Sequence, residues 1–343
     1  MKKRLLLTAT LLAVCAAPLA SCGGSPTISV WVGNESAEFY TKVCNEFLEA
    51  NPEFGFKIEV KGVDTGTVAG QLTEDASSCA DIYTIAHDNI DKMAKANAAK
   101  PITDEALLKQ IDDDNPDAFK GVIKSTLVSG GEVYTIGVPY ISQALVLYYN
   151  KEFVSEEQAK TFEGLEAAAA AVGGNTKAVT VTGTDGFNFS FTLLGRKLPG
   201  NTSSLALYEE EERYNAYGQS NDEVALARWA QRYFNATNGG SLGSDSGWAV
   251  DIKNHAAVSL IGGAWHFNAF KSSVTDDQGV AHVGCALIPT LKLTEQDVAG
   301  IEPTTNLYTK QADPAPVAGT EYRGGTFADC KCFVINMAAD EAK

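Results

Sequence analysis

The sequence lacks the short motifs of common catalytic and nucleotide-binding sites. It contains no GxxxxGK[ST], HExxH or GxSxG, and "GSDSG" places Asp245 where GxSxG needs its serine nucleophile. No CxxC pair or Cys/His cluster has zinc-site spacing, and "DDDNPD" lacks the glycine and glutamate of a calcium loop. We therefore predict no metal, no cofactor and no catalysis. The 43 acidic residues still leave a glycosidase-like carboxylate pair open as an alternative.

Basic residues are also scarce. The 27 Lys and Arg face 43 Asp and Glu, which gives a formal net charge of -16. Such a surface repels nucleic acid phosphates and anionic lipid, so we expect no nucleic acid partner. With 45% apolar and 20% charged residues, the 343-residue chain has the composition of a soluble protein of two ordinary domains.

Long apolar runs are absent except at the N-terminus. There a basic start (Lys2, Lys3, Arg4) and an apolar run predict a secretory signal over residues 1–21. The stretch "LASC", ending at Cys22, resembles the lipobox of bacterial lipoproteins, which implies a lipid on Cys22 and a short linker over 22–27. The alternative is a plain cleaved signal with an accidental cysteine. We expect an extracytoplasmic protein, lipid-anchored to the cell membrane.

Seven cysteines are present. Without Cys15 in the signal and Cys22 at the lipid, five remain: Cys44, Cys79, Cys285, Cys330 and Cys332. An odd number in an exported chain leaves at least one thiol unpaired. The "CKC" spacing places Cys330 and Cys332 on one face of a strand, which is a poor geometry for a bond between them.

Strands alternate with helices along the chain, which predicts α/β lobes with parallel sheets. "ISVWV" (28–32), "FKIEV" (56–60) and "DIYTIA" (81–86) read as strands, and a helix with Phe39, Val43 and Phe47 on one face separates the first two. A further helix is predicted from residue 90 up to Pro101. The apolar "ALVLYYN" predicts a buried strand, and the change of domain is expected near 140–143.

Polar and aromatic side chains follow several of these strands. Ligands of open parallel sheets bind beyond the carboxyl ends of the strands. The candidate residues at such ends are Trp31, Asn34, Glu35, Asp88, Asn89, Trp265 and Phe267. Aromatic faces beside carboxylates and amides suit a neutral polyhydroxylated ligand. Alternatives stay open: Trp31 as a core residue, Asp88 as the N-cap of the helix at Ile90, and His87 as a structural hydrogen-bonding residue.

These segments together resemble a known family. The segments, in order, are "ISVWVGNES", "DIYTIAHDNIDKMAKANAAKPIT", "GGEVYTIGVPYISQALVLYYNKEF", "SLIGGAWHFNAF", "CALIPTL" and "FVINMAA". From about Ile28 onward the chain resembles the extracellular solute-binding proteins of ABC transporters, in the maltose/maltodextrin-binding branch. The resemblance implies a periplasmic-binding-protein-like (type II) fold, in which two α/β lobes surround a ligand cleft.

The same resemblance implies the organisation and the role of the chain. The N-terminal lobe would comprise 28–141 with 333–343, and the C-terminal lobe 142–332; relatives carry a further C-terminal portion. The implied function is a monomeric receptor that captures an oligosaccharide by cleft closure and delivers it to ABC permease subunits. A same-fold receptor for another small solute, and an exported carbohydrate-active enzyme, remain alternatives.

Individual residues also match the family. Asp88 matches an aspartate that binds sugar hydroxyls, Trp265 matches a tryptophan that stacks on a sugar ring, with Phe267 nearby, and Glu35 falls at an acidic ligand contact. The departures from the family are Ser36 for a lysine, Ile85 for an aromatic residue, Asn89 for an arginine and Gln143 for a glutamate at the crossover. The resemblance therefore implies the sugar class, and the departures leave the particular sugar open.

Overall fold

The computed structural model describes most of the chain. The described residues are 25–115, 117–126, 132–182, 188, 190–193, 196–197, 206–209, 212–215, 220–234, 247–306, 310–326 and 329–340. The predicted signal and Cys22 lie outside them. The chain divides into two compact units, the first comprising the residues up to Gln143 together with Asp329–Lys343, and the second comprising Ala144–Ala328.

Strands and helices alternate in the first part of the chain, up to residue 95, and consecutive strands or helices occur after it. The strands are β1 (Thr27–Gly33), β2 (Lys57–Val63), β3 (Ile82–Ala86), β4 (Lys124–Thr126), β5 (Val133–Thr135), β6 (Gly137–Gln143), β7 (Val146–Asn150), β8 (Thr180–Val181), β9 (Arg196–Lys197), β10 (Ala206–Glu209), β11 (Glu212–Asn215), β12 (Ser259–Gly262), β13 (Val283–Ala286), β14 (Thr290–Lys292), β15 (Thr304–Thr305), β16 (Ala312–Asp313), β17 (Glu321–Arg323) and β18 (Asp329–Ile335). The α-helices are α1 (Ala37–Ala50), α2 (Thr65–Asp75), α3 (Ile90–Lys95), α4 (Glu105–Asp114), α5 (Asp117–Val122), α6 (Phe162–Val172), α7 (Ser190–Leu193), α8 (Asn221–Tyr233), α9 (Trp248–Lys253), α10 (Phe267–Ser273) and α11 (Glu295–Val298).

The first unit is built on a five-stranded sheet in the order β2-β1-β3-β18-β6. β1 pairs in parallel with β2 and β3, as predicted, and β18 pairs antiparallel with β3 and β6. Helix α1 buries Val43 and Phe47, and Phe47 packs into the core of this unit. Phe39 shares their face of the helix, as the spacing predicts, but lies at its start and is 63% exposed.

β18 is a central strand that contains Lys331 between two buried cysteines. Cys330 and Cys332 are buried with their sulfur atoms 3.8 Å apart, so they share a face, as the spacing predicts. Lys331 lies between them and points to the other face, in register with Ala86 of β3. All of β18 pairs within the first unit, so its residues 329–332, which the sequence boundaries placed in the second lobe, belong to the first unit.

The second unit has a four-stranded sheet in the order β13-β7-β12-β8. The apolar strand β7 is central and buried as predicted, although both of its neighbours pair with it antiparallel. Helix α8 begins with a capping box between Ser220 and Glu223 and packs Trp229 into the core. The segment "CALIPTL" is not one continuous strand: it divides into the end of β13 and part of β14, and these strands lie in different sheets.

The helix predicted from residue 90 to Pro101 is shorter than expected. It ends at Lys95, and Asn97 takes a left-handed conformation with φ 53°. Ala98 and Ala99 then turn inward and are fully buried, which costs little because alanine is small and apolar. Within the residues that the structure describes, no helix has the length and apolar character needed to cross a membrane.

Candidate ligand-binding site

Two short turns lie at the carboxyl edge of the first unit's parallel strands. Asn34–Ser36 forms a 3-10 turn directly after β1, and His87–Asn89 forms another directly after β3. Because β1 and β3 are parallel neighbours, both turns lie at the same edge of the sheet. Asn34, Glu35 and Asp88 are exposed there, and Asn89 is half-buried.

The side chains of the first turn lie close to two glycines. A Cβ on Gly33 would lie 2.5 Å from Glu35 Oε1, so the carboxylate folds back over the Gly33 backbone. A Cβ on Gly62 would likewise lie 2.9 Å from Asn34 Oδ1. Glu35 and Asn34 therefore lie close to the backbone while remaining open to solvent.

The second turn presents Asp88 as an acceptor. Neither this turn nor the following helix α3 has a side-chain cap bond, and Asn89 occupies the cap position of α3. The capping alternative for Asp88 is therefore wrong. Its Oδ1 instead accepts a 2.9 Å hydrogen bond from Asn89 Nδ2, which orients the carboxylate. His87 accepts a hydrogen bond from the Cys330 backbone N–H at 3.2 Å and so ties the turn to β18, consistent with a structural role.

Lys331 is a polar residue at this edge that the sequence analysis did not identify. Its side chain is only 12% exposed, and its Nζ lies 3.8 Å from Glu35 Oε1 and 3.5 Å from Thr65 Oγ1. The signal available in the sequence was one lysine inside the otherwise apolar run "CKCFVI". A lysine in a central strand is uncommon because burying its charge is costly.

Trp31 and Gln143 are placed differently from the turn residues. Trp31 lies within β1 rather than after it, is half-buried against the core, and has Lys61 Nζ 5.4 Å from its ring centre. Gln143 ends β6 and is buried, and its Oε1 has no hydrogen-bond partner among the described residues. That oxygen is therefore a buried acceptor without a described donor.

In the second unit, Trp265 forms an exposed aromatic platform. It lies in the 3-10 turn Ala264–His266 that follows β12, and its side chain is 39% exposed. A Cβ on Gly263 would lie 2.1–2.4 Å from three indole carbons. The indole therefore lies directly over the Gly263 backbone, and this close approach is the physical reason for a glycine at position 263.

The residues around Trp265 hold the turn in place. Tyr148 of β7 donates a hydrogen bond to the Gly263 carbonyl at 3.3 Å, and its ring contacts Phe267, which is 41% exposed. His266 packs edge-on against Trp248, and burial lowers the pKa of His266 to about 4, so the imidazole is neutral at pH 7. The second glycine, Gly262, leaves room for that ring, because a Cβ there would lie 2.9 Å from His266 Nδ1.

Each unit offers a different chemistry. The first presents carboxylates, amides and a buried ammonium, which can bind hydroxyl groups as acceptors and donors. The second presents fixed aromatic faces, which can cover the C–H faces of a ring. Among the described residues, no group of three or more His, Cys, Asp or Glu is arranged to hold a metal ion.

The chain is similar to known proteins over most of its length. A family model for bacterial extracellular solute-binding proteins matches residues 33–290. A maltodextrin-binding protein from L. casei BL23, solved without ligand, is 18% identical with a TM-score of 0.58, over 93% of this chain and 71% of that chain. A comparison with curated protein sequences found no significant match.

Two further solved structures carry bound sugars. A cyclo/maltodextrin-binding protein complexed with maltotetraose is 16% identical with a TM-score of 0.60, over 94% of this chain and 73% of that chain. An extracellular solute-binding protein from Staphylococcus aureus, in complex with maltose, is 15% identical with a TM-score of 0.54, over 93% and 74%. At these identities the likeness establishes the fold, and it confirms the predicted α/β, periplasmic-binding-protein-like class of two lobes.

Proposed function

The chain belongs to the family of bacterial extracellular solute-binding proteins, and we propose that it is a receptor for a maltodextrin-type oligosaccharide. The observation that carries the proposal is the Trp265 platform, an indole seated on Gly263 with an exposed face. An exposed tryptophan fixed by a glycine contributes little to a core. It suits the stacking of a sugar ring, as the bound maltotetraose and maltose of the similar structures suggest for the ligand class.

The proposed binding set includes the edge residues of both units. We assign hydroxyl binding to Asn34, Glu35, Asp88, Asn89 and Gln143, and stacking to the aromatic residues Trp31, Trp265 and Phe267. The sugar would bridge the two units and select a closed arrangement, because only that arrangement gives the ligand both sets of contacts. The protein acts as a monomer in this proposal, with no catalytic step.

The cellular setting is part of the same proposal. We infer that the receptor is tethered outside the cytoplasmic membrane by a lipid on Cys22 and delivers its sugar to the permease subunits of an ABC importer. Metabolic labelling with a fatty acid analogue tests the anchor. Label should appear on the wild-type protein and be lost from Cys22→Ser, whereas an unlabelled wild-type protein would contradict the lipid assignment.

Ligand-induced stabilisation tests the receptor function. Purified protein is heated with a panel of maltodextrins, other oligosaccharides, amino acids and polyamines. A ligand at ~100 times its dissociation constant stabilises the folded state by about 2.7 kcal/mol, which a thermal scan detects. We expect stabilisation by maltodextrins without any product by chromatography. Stabilisation by an amino acid or polyamine alone would instead identify a receptor for another solute, and sugar turnover would identify an enzyme.

Two substitutions locate the site in the same assay. Asp88→Ala and Trp265→Ala should each severely weaken sugar binding, because one removes a hydroxyl acceptor and the other removes the stacking face. Both residues are exposed, so the melting temperature without ligand should stay close to that of the wild type. Normal sugar binding by both variants would place the site elsewhere.

A further inference from the structure

Lys331 places a charged side chain in a mostly buried strand. It occupies a central strand, its neighbours Cys330 and Cys332 are buried, and its own side chain is 12% exposed. An ammonium group is strongly hydrated, and burying it is unfavourable unless close partners compensate for the lost water. An apolar side chain of the same length would fill this position at lower cost.

The partners of Lys331 are too distant to compensate fully. Glu35 Oε1 at 3.8 Å is beyond hydrogen-bond length, and Thr65 Oγ1 at 3.5 Å is at its limit. The second unit shows the contrast, because Arg232 there binds Asp297 through two hydrogen bonds of 2.9 Å. An ammonium has three N–H donors. Lys331 therefore retains donor capacity, and it is directed at the edge where the candidate ligand residues lie.

The geometry between Lys331 and Glu35 fits one hydroxyl group. A hydroxyl oxygen about 2.8 Å from each atom can accept from Nζ and donate to Oε1 at the same time, because these atoms are 3.8 Å apart. Glu35 is half-exposed and is held over Gly33, so the acceptor is already in position. Both hydrogen bonds would involve a charged group, which makes them stronger than those between neutral groups.

We propose that Lys331 is a ligand-binding residue, and that it forms with Glu35 a donor–acceptor pair that reads one hydroxyl of a neutral polyhydroxylated ligand. The inference rests on the proposed function, and it adds that the ligand is uncharged. Glu35 offsets the charge of Lys331, and Asp88 adds a further negative charge at the same edge. The Lys331–Glu35 pair therefore offers an acidic sugar no net attraction.

Lys331→Met is the decisive variant, because it keeps the length of the side chain and removes the ammonium. Binding of maltotriose is measured by isothermal titration calorimetry. We expect the Kd to rise roughly 10- to 100-fold, as loss of a hydrogen bond to a charged group implies. The unliganded melting temperature should hold or rise, because a buried charge has been replaced by an apolar group. Lys42→Met, on an exposed side chain of α1, should bind as the wild type does.

The outcomes separate this inference from the proposed function. If the wild type binds maltotriose and Lys331→Met binds equally well, the role of Lys331 is refuted while the sugar receptor stands. If the wild type binds no sugar, both are refuted. If a glucuronic acid-terminated oligosaccharide binds at least 10-fold more tightly than maltotriose, the neutral ligand class is refuted.

Two further measurements distinguish ligand contact from a structural role. The first uses a series of maltotrioses that each lack one hydroxyl group. One member should bind the wild type more weakly than maltotriose does, and its affinity should fall little further in Lys331→Met. Both changes remove the same hydrogen bond, so their effects should not add. The second measurement follows the lysine side-chain nitrogen signals by NMR. It uses the wild-type protein alone and so does not depend on the folding of a variant. One ammonium signal should shift when maltotriose saturates the protein, and no shift would refute the contact.

Discussion

Gly263→Ala tests the aromatic platform without altering the aromatic residue. The added methyl group would lie 2.1–2.4 Å from three carbons of the Trp265 indole, where about 3.5 Å is the normal contact distance. The indole must therefore move by about 1 Å or more. The backbone conformation is compatible with the substitution, since Gly263 has φ -82° and ψ 173°, which alanine adopts without strain.

The expected loss of affinity follows from the stacking contact. A sugar ring lying on an indole removes roughly 50 Å² of apolar surface from water, which corresponds to about 1.3 kcal/mol. The stacked geometry adds a further attraction between the indole and the sugar C–H groups. We therefore expect the binding free energy to weaken by about 1–2 kcal/mol, which raises the Kd roughly 5- to 30-fold. Stability should change little, because Trp265 is already 39% exposed.

Calorimetric titration with maltotriose measures the effect in four proteins: wild type, Gly263→Ala, Trp265→Ala and the double variant. The double variant should bind no more weakly than Trp265→Ala, because both changes act through one ring. Gly55→Ala, at a glycine with no atom near its added methyl, is the control and should bind normally. Wild-type affinity in Gly263→Ala beside a weak Trp265→Ala would refute the seating of the indole on Gly263.

Two further predictions concern the stability of the second unit. Asp297→Asn should lower the free energy of unfolding in urea by about 2–4 kcal/mol, because the 1% exposed carboxylate is the partner of Arg232. The free energy of unfolding should also fall by about 1–2 kcal/mol as the pH drops from 6.5 to about 4, with partial solvent screening of the ring included. In this range the unfolded chain protonates His266, whose ordinary pKa is 6.5, while the folded protein keeps it neutral; the loss is complete below about 4.

Each stability prediction has a matched control. Asp277→Asn removes an exposed carboxylate of the same unit and should stay within about 0.5 kcal/mol of the wild type. An Asp297→Asn protein as stable as this control would contradict the importance of the ion pair. For the pH effect, His266→Gln should flatten the profile between pH 4 and 6.5, and an unchanged slope in that variant would assign the effect to other groups.

The strands of the first unit could be predicted because their residues alternate and their order is local. β1, β2 and β3 follow one another with helices between them, so pattern and connection agree. The end of α3 at Lys95 was missed because the run to Pro101 has good helix formers. The competing burial of Ala98 and Ala99 depends on contacts with residues 335–337, which lie more than 200 residues further along the chain. The break in "CALIPTL" likewise depends on which sheet each half joins.

The residues of the candidate site were likewise predictable only where their position depends on the local sequence. Glu35, Asp88 and Trp265 were identified because each directly follows a strand or lies in the turn after it, and strand ends are visible in the sequence. Lys331 was missed because its role depends on a pairing across the sheet. Only the register of β18 with β3 places its ammonium near Glu35. The reason for the glycine at position 263 could not be predicted either, since it depends on the contact between the Trp265 indole and the Gly263 backbone.

The position of β18 has a consequence for how the protein folds. This strand lies between β3 and β6, yet the chain reaches it only after the whole second unit. A nascent first unit therefore holds two unpaired strand edges until β18 has been synthesised, and closing such a long loop is slow. A fragment ending at residue 143 would expose these edges and tend to aggregate. The second unit is thus an insertion between the two parts of the first unit. We therefore expect the first unit to become stable only after the second.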